Sequence, residues 1–450
     1  MSTETTTQEP RIEDPPDENL ADFISYMGPA WIFTSAQIGG GEALSVPVIA
    51  AALGMEGIWL IPLVGFTKIF GQFYLVSQGV VSGDTFQQRL SEKPWYLRWI
   101  FYYVILGGFF YAMGISGHLA TTAGAWQTLL PSSTDIWMII ISLVSFSLVI
   151  TRRYDIIEKV STVLLWIFLA MVLIVAILLF PSTQEWITGL TSYPGQVEAL
   201  GGSGIFIIAV AFGWIGAGYA PTTTYVWYAK DRGMGMFKPV NEGIEIEQED
   251  LTTEETSRLR GWHNVVLWQN LIASVVLVVF SMALWIASAK TLHVQGIRPS
   301  GFEAVSQMAG IFTGTYGAWS GNLLLIAVSF ALFSSMFAPA YGVARIWEDS
   351  FGYMGGFEKF DIDRKLFYRL GIVFFLATPL ALNLVLEVPL ILFSVGGILF
   401  APIIGLLYLL AIYLFFSDMR EELRPSRWWA LLLGITAAVL TLISSLSSAF

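Results

Sequence analysis

Long apolar stretches separated by short charged segments dominate the pattern of the chain. An α-helix needs about twenty predominantly apolar residues to cross a bilayer, and windows of this kind recur along most of the sequence. They are centred near Ala36, Gly71, Gly108, Leu143, Met171, Phe212, Val276, Ile326, Ala377, Ile404 and Ala438. The pattern therefore predicts about eleven membrane-spanning helices, which we number span 1 to span 11.

The composition agrees with this pattern. Of the 450 residues, 55% are hydrophobic and only 13% are charged, and the mean hydropathy of +0.66 lies far above that of soluble proteins. We therefore expect an all-α integral membrane protein with the lipid bilayer as its surroundings. The chain has no cysteine, which excludes disulfides and thiolate metal sites. Nothing indicates a cofactor.

Acidic residues are concentrated outside the predicted spans. Residues 1–22 are polar, acidic and proline-containing, which is typical of a disordered tail, and residues 23–450 form a single predicted transmembrane domain. An acidic loop is predicted at residues 231–260. This charge is either an ordinary solvated surface or an adaptation to high salt. The net charge of -11 argues against nucleic-acid partners, and protein partners are not indicated.

Lysine and arginine residues collect in alternate loops. With a cytosolic N-terminus, the inside loops carry Arg89, Lys93, Arg98, Arg152, Arg153, Lys159, Lys230, Arg232, Lys238, Arg258, Arg260, Arg345, Lys359, Arg364, Lys365, Arg369, Arg420, Arg424 and Arg427. The outside loops carry only Lys290 and Arg298. By the positive-inside rule this asymmetry predicts a cytosolic N-terminus and an extracytosolic C-terminus.

Two spans are interrupted. Span 1 contains the run Gly39, Gly40 and Gly41 followed by Glu42, and span 6 contains "GWIGAGYAPTTTY" from Gly213. A helical glycine costs about 0.8–1 kcal/mol relative to alanine, and a carboxylate at membrane depth costs at least about 2.5 kcal/mol. Spans 1 and 6 begin two five-helix halves, and paired interrupted spans are typical of a transport site at the membrane midplane. The alternative is that these glycines only let helices pack closely.

The candidate substrate-binding residues lie at these two interruptions. They are Gln37, Gly39, Gly40, Gly41, Glu42, Ala217, Ala220, Pro221, Thr222 and Thr223. Their donors are oxygen atoms, which suit a hard divalent cation such as Mg²⁺ or Mn²⁺ with Glu42 as the carboxylate ligand. A half-helix starting after Pro221 could instead present N–H groups to a small anionic or zwitterionic solute. Both substrate classes stay open.

Two further residues are candidates for coupling or gating. Lys68 and Glu42 are the full charges that fall well inside a predicted span, so we expect them to form a pair. The alternative is that Lys68 extends its ammonium to the membrane interface. His118 lies well inside span 3 and is either a proton relay or a partner in one interhelical hydrogen bond.

Several segments carry a resemblance to a known family. They are "GPAWIFTSAQIGGGEALSVPVIAAALGMEGIW" in span 1, "SQGVVSGDTF" from Ser77, "TRRYDIIEKVSTVLL" from Thr151 and "ASAKTLH" from Ala287. Over most of its length the chain resembles the Nramp (natural resistance-associated macrophage protein) family of proton-coupled divalent-metal transporters. The resemblance implies a LeuT-like fold, in which two inverted five-helix repeats bind substrate between broken spans 1 and 6, with an eleventh helix added.

The metal-binding motifs of the family are altered in this chain. Gly39 to Glu42 stand where the family has Asp-Pro-Gly-Asn, and Ala220, Pro221 and Thr222 stand where it has Met-Pro-His. The positions at which the family has acidic residues in its third span correspond to the region of Tyr111 and Gly114 in this chain, where no acidic residue is present. The resemblance therefore implies a remodelled site whose coupling ion does not follow from the family pattern.

The function that we expect is secondary active transport of a divalent metal cation, with the small solute as the alternative. No acid/base pair, nucleophile arrangement or metal-ligand cluster appears in the sequence at membrane depth, which argues against a membrane enzyme. Nothing resembles a charged ring or carbonyl-loop filter, which argues against a channel. A sensor built on a transporter scaffold is a further alternative.

Overall fold

Helices make up the regular secondary structure of the described residues. The structure, a computed structural model, describes residues 11–16, 20–192, 208, 210–298, 303–386, 389–424 and 427–447, and these contain no β-strand. Residues 1–10 and 17–19 of the predicted tail lie outside them. The division into a tail and a single transmembrane domain stays a prediction.

Each predicted span corresponds to helical segments. Span 1 is Gly28–Gln37, a π-helical turn Ile38–Glu42 and Ala43–Leu53; span 2 is Leu60–Thr67 and Ile69–Ser82; span 3 is Trp95–Gly114 and Ser116–Leu129; span 4 is Thr134–Val149; span 5 is Tyr154–Leu178. Span 6 includes the helical residues 210–214 and the helix Tyr219–Arg232; span 7 is Thr253–Ser288 and a π-helical turn Ala289–His293; span 8 is Ala318–Tyr353; span 9 is Arg364–Leu386; span 10 is Pro389–Asp418; span 11 is Arg427–Ser447.

Short helices occupy the connections between the spans. The α-helices are Leu20–Ser25, Phe86–Ser91, Thr183–Thr191, Phe237–Asn241, Glu303–Tyr316 and Gly356–Phe360, and the 3-10 turns are Met55–Gly57, Gln248–Asp250 and Glu421–Leu423. In the described part of the chain, seven helices are long and apolar enough to cross a membrane on their own, and shorter apolar helices lie in spans 1, 4 and 11. This all-α membrane architecture confirms the predicted fold class.

Span 1 lies inside the bundle rather than at its lipid-facing edge. Every residue of Gly28–Gln37 is buried, and this helix packs against spans 5, 6, 7 and 8. Phe33 stacks on Tyr225 of span 6 with ring centroids 5.1 Å apart. A helix that is apolar on all sides is expected to be buried on all sides. The glycine run therefore lies among other helices.

Ion pairs join the spans at one end of the bundle, which we call the basic end. They link the connection between spans 2 and 3 to the end of span 10, and the end of span 8 to the end of span 6 and to the start of span 5. The pairs are Lys93–Asp418 at 2.6 Å, Arg89–Asp418 at 3.5 Å, Arg152–Glu348 at 2.9 Å and Arg345–Asp231 at 3.1 Å. The loops that the sequence predicts to be basic thus lie together.

At the opposite end of the bundle, Lys290 pairs with Glu185 in the connection between spans 5 and 6. The hydrogen bond from Lys290 lowers the pKa of Glu185 to about 2. The Glu185 carboxylate is therefore charged at neutral pH.

Residues 11–16 lie against the start of span 7. Arg11 pairs with Glu255 at 2.8 Å, Ile12 is fully buried, and the indole N–H of Trp262 donates to the carbonyl of Glu13 at 3.0 Å. Part of the predicted tail is therefore attached to the basic end.

Span 7 begins with a capping box. The Thr252 hydroxyl accepts the backbone N–H of Glu255 at 3.1 Å, and the Glu255 carboxylate accepts the backbone N–H of Thr252 at 3.0 Å. Both N–H groups would otherwise lack an intrahelical partner. Because Glu255 also binds Arg11, the cap and the N-terminal segment depend on one carboxylate.

Replacing Thr252 by alanine should destabilise the start of span 7 by about 1 kcal/mol, since it removes the cap. Thermal unfolding of the purified protein in detergent should show a lower midpoint for Thr252→Ala. Thr253→Ala, at the exposed neighbouring position, is the matched control and should leave the midpoint unchanged. Equal midpoints for the two variants would contradict the capping role.

Candidate transport site

The interruption of span 1 is a change of helix type. Residues Ile38–Glu42 form a π-helical turn, and the backbone N–H of Ala43 bonds to the carbonyl of Ile38. The predicted interruption of span 1 is therefore a wider helical turn that keeps its backbone hydrogen bonds, and the glycine run does not unwind the helix. π-Helical turns within α-helices are frequent at functional sites.

Two of the glycines are required by close contacts with neighbouring backbone. A Cβ atom on Gly39 would collide with the carbonyl of Ala331 in span 8, and one on Gly41 would collide with the carbonyl of Trp214 in span 6. The glycines therefore do bring helices together, as the packing alternative predicts. This close approach lies at the interruption of span 6. The same glycines therefore serve close helix packing and lie at the candidate transport site.

The interruption of span 6 is a true loss of helix. Helical structure stops at residue 214 and resumes at Tyr219, and Gly216 lies in the left-handed region with φ +71°. The second helix thus begins two residues before Pro221, and the expectation that it starts after Pro221 is wrong. Pro221 lies in the first turn, where its missing N–H removes no intrahelical bond.

The amide of Gln37 bridges the two sides of this interruption. Its Nε2 donates to the carbonyl of Trp214 at 2.5 Å, and its Oε1 accepts the backbone N–H of Gly218 at 2.8 Å. One side chain of span 1 therefore binds both ends of the non-helical segment. Gln37 is a predicted site residue, and its observed role is to hold the backbone of span 6.

Glu42 and Lys68 bind one peptide group from its two sides. The backbone N–H of Gly216 donates to Glu42 Oε1 at 2.9 Å, and Lys68 Nζ donates to the carbonyl of Ile215 at 2.6 Å. That carbonyl and that N–H belong to the same peptide bond. We call Gln37, Glu42 and Lys68 the clamp, since together they satisfy the exposed backbone of residues 214–218.

Glu42 and Lys68 do not form the direct ion pair that the sequence predicts. Both Glu42 and Lys68 are fully buried, so Lys68 does not reach the membrane interface. The two side chains are brought together as expected, but through the Ile215–Gly216 peptide instead of a direct ion pair. Lys68 lies at the junction of the two helices of span 2, which places its ammonium beside span 6.

The remaining predicted residues line the same region. Gly40 lies in the π-helical turn, and Ala217 and Ala220 are buried. The Thr222 carbonyl accepts from Gln72 Nε2 at 3.4 Å, whereas the Thr223 hydroxyl donates to the carbonyl of Tyr219 at 3.0 Å within its own helix. The Thr223 hydroxyl is therefore not directed to a ligand.

His118 is also close to the interruption of span 6. Its ring is buried and lies edge-on to Trp214, with centroids 5.5 Å apart. Span 3 thus contributes to the site, although the proton-relay role stays a prediction. Sequence reasoning missed the backbone of Trp214 and Ile215 and the side chain of Gln72, because a carbonyl or amide partner leaves no periodic signal.

The clamp contains one buried carboxylate and one buried ammonium. Glu42 accepts the backbone N–H of Gly216, which precedes the second helix of span 6, and Lys68 binds the other side of the same peptide group. In the described part of the chain no three His, Cys, Asp or Glu residues cluster as metal ligands. A cation at this site would therefore be coordinated by Glu42, by neighbouring carbonyl and amide oxygens, and by water. Of the two Glu42 carboxylate oxygens, Oε2 makes the weaker hydrogen bond, since its distance to Gln37 Nε2 is 3.5 Å.

Solved structures share this arrangement of helices. A mutant of the Eremococcus coleocola manganese transporter is 15% identical, with a TM-score of 0.66 over 98% of this chain and 89% of that one. MhsT in complex with L-phenylalanine is 16% identical, with a TM-score of 0.61 over 97% and 100%. Mhp1, a nucleobase-cation-symport-1 family transporter, is 12% identical, with a TM-score of 0.57 over 94% and 93%.

These likenesses show the LeuT-like fold, as predicted, and the long apolar helices are those of a multi-pass membrane protein. The profile of the natural resistance-associated macrophage protein-like family matches residues 30–448, and the chain belongs to this family. The predicted resemblance is therefore confirmed. No curated protein sequence matches the chain.

Replacing Gly41 by alanine should force spans 1 and 6 apart, because the new methyl group meets a backbone carbonyl that cannot move alone. Overpacking of this kind costs about 1–3 kcal/mol. The thermal unfolding midpoint of Gly41→Ala in detergent should fall. Gly124→Ala is the matched control, since a Cβ on this glycine of span 3 meets nothing within 4 Å. A midpoint for Gly41→Ala equal to that of the control would contradict the close contact.

Proposed function

We propose that this protein is a secondary active transporter that moves a divalent metal cation across the membrane by alternating access. The observation that carries the proposal is the buried Glu42 carboxylate at the junction of the two interrupted spans. Family membership and the fold shared with a structure described as a manganese transporter support it. Non-helical backbone at membrane depth is tolerated where it is buried or lines a polar cavity.

The donor set favours a hard cation. Glu42, Gln37 and the backbone carbonyls offer oxygen ligands, and Ala220 stands where the family resemblance places a methionine sulfur. Oxygen ligands suit Mg²⁺ and Mn²⁺, and Mg²⁺ usually keeps several of its waters. One carboxylate with polar neighbours and water is sufficient for such an ion.

Lys68 is the proposed gating residue. Its ammonium donates a hydrogen bond to the carbonyl oxygen of Ile215. A cation bound at the interruption of span 6 would use the same oxygen as a ligand. Two cations at one carbonyl repel each other, so we infer that metal binding displaces Lys68 and loosens the clamp. Loosening would let the two parts of span 6 move relative to span 1, as alternating access requires. His118, against Trp214, is a second candidate for coupling.

The distribution of basic residues supports one orientation in the membrane. We propose that the basic end faces the cytosol, because positively charged loops are retained on that side during insertion. The N-terminus, whose residues 11–16 contact the basic end, is then cytosolic. Span 11 starts at the basic end, so the C-terminus is extracytosolic.

Flux into proteoliposomes tests the proposal. The purified protein should take up at least one of Mn²⁺, Mg²⁺ and Ca²⁺, with Mn²⁺ or Mg²⁺ preferred, while protein-free liposomes should not. Running each ion with and without a pH gradient shows whether protons are coupled. Uptake of none of the three ions, by protein that remains folded after reconstitution, would contradict metal transport.

Replacing Glu42 by glutamine should abolish this flux while sparing the fold. The glutamine Oε1 can still accept the N–H of Gly216, but the neutral amide supplies no charge to a divalent ion. Unfolding midpoints measured in parallel separate the two effects. Glu249→Gln, in the exposed acidic loop, is the control and should transport normally. Unchanged flux in Glu42→Gln would remove Glu42 from the site.

A further inference from the structure

A cavity of about 340 Å³ opens at the basic end, away from the interrupted spans. It lies between the end of span 2, the start of span 7 and the connection from span 10 to span 11. The residues that matter for its chemistry are Phe73, Arg260, His263, Leu267, Arg424 and Trp429. None of them takes part in the clamp.

Two arginines at this cavity lack carboxylate partners within the part of the chain that the structure describes. Arg260 Nε donates to the carbonyl of Glu422 at 2.9 Å, and Arg424 Nε donates to the carbonyl of Met419 at 2.7 Å. Neither guanidinium has an acidic side chain within ion-pair distance among the described residues. The acidic side chain at the rim, Glu422, pairs with Arg420 at 3.5 Å, and the charge of Arg260 also acts on it from beyond ion-pair distance.

Arginines of the basic end fall into two groups. Arg98 and Arg232 resemble the two arginines at the cavity, since each donates a hydrogen bond to a backbone carbonyl. Arg89, Arg152, Arg258 and Arg345 each pair with one or more carboxylates there. In a chain with a net charge of -11, two arginines that line one cavity and have no carboxylate within ion-pair distance in the described ranges make a local positive site. One backbone bond orients each guanidinium and leaves its terminal nitrogens for a ligand. A planar guanidinium with free N–H groups matches the geometry of a phosphate.

The other wall of the cavity is apolar and fixed. Phe73 is buried, Leu267 is half-buried, and the ring of Trp429 packs against Phe70 with centroids 4.8 Å apart. His263 is held by Ser77 at 2.5 Å and lies edge-on to Phe73. Tryptophan at the start of a span is typical of the level of lipid headgroups. The cavity thus combines a positive rim with an apolar side at a membrane interface.

We propose that this cavity binds an anionic membrane phospholipid. Its phosphate lies between Arg260 and Arg424, and its first acyl carbons lie along Leu267 and Trp429. Basic pockets between membrane helices are a general form of anionic headgroup site, and each basic residue near an anionic lipid surface strengthens binding several-fold. The bound lipid joins span 7 to the start of span 11 across this cavity.

The test uses the full-length protein, delipidated in a neutral detergent. The midpoint of thermal unfolding is followed while phosphatidylglycerol is added. We expect a saturable rise in the midpoint and little effect of phosphatidylcholine with the same acyl chains. In Arg260→Gln/Arg424→Gln the lipid concentration for half-saturation should increase by about tenfold or more.

Three comparisons make the result specific. Arg260→Lys/Arg424→Lys keeps both charges and should restore most of the binding, which separates loss of charge from misfolding. Arg298→Gln is the matched control, since Arg298 also bonds one carbonyl, that of Ala52, at the opposite end of the bundle, and it should bind lipid normally. Inorganic phosphate at the same concentration should not raise the midpoint.

The proposal is overturned if the glutamine double variant binds phosphatidylglycerol as tightly as the native protein. It is also overturned if Arg298→Gln weakens binding equally, because the effect would then follow overall charge. Stabilisation by inorganic phosphate alone, without a further effect of phosphatidylglycerol, would assign the site to a free phosphate and reject the lipid.

Discussion

The peptide group between Ile215 and Gly216 is the element on which the rest of the site depends. It lies at the interruption of span 6, where neither helix can satisfy it, and an unsatisfied peptide in a buried interior costs several kcal/mol. Its carbonyl is bound by Lys68 and its N–H by Glu42. Hydrogen bonds to charged groups are about twice as strong as neutral ones, so three spans are held at one point.

This constraint explains why two expensive charges lie at membrane depth. An isolated buried carboxylate or ammonium would be costly, but the peptide dipole separates Glu42 from Lys68 and stabilises both. Gln37 extends the same arrangement to Trp214 and Gly218. The glycines of span 1 are needed because the side chains can act only when the two backbones approach closely. A metal ion at this place must replace bonds that the protein already makes, which couples its binding to the conformation of span 6.

The sequence predicts the positions of the spans well, because hydropathy and loop charge respond directly to the bilayer. It also identifies Gln37, Glu42 and Lys68, since polar groups in apolar segments are rare. It fails where the outcome depends on backbone geometry. The glycine run of span 1 remains helical because a π-turn preserves its hydrogen bonds. The second helix of span 6 begins at Tyr219 because proline is acceptable in a first turn.

The sequence also does not predict which group binds a buried charged side chain. Glu42 and Lys68 are opposite charges at similar depth, and direct pairing is the simplest expectation, yet a peptide group from a distant segment lies between them. A backbone carbonyl can serve as partner in any residue type, so no composition rule identifies it. The same applies to Arg260 and Arg424, because the absence of a carboxylate beside them among the described residues is visible only in the folded structure.

Anomalous diffraction from crystals of the protein soaked in Mn²⁺ tests the proposed metal site, because it locates the ion. We expect a Mn²⁺ peak within about 2.0–2.6 Å of a Glu42 carboxylate oxygen, beside the non-helical backbone of residues 214–218. A fully occupied Mn²⁺ site elsewhere in the bundle, with no peak at Glu42, would contradict it.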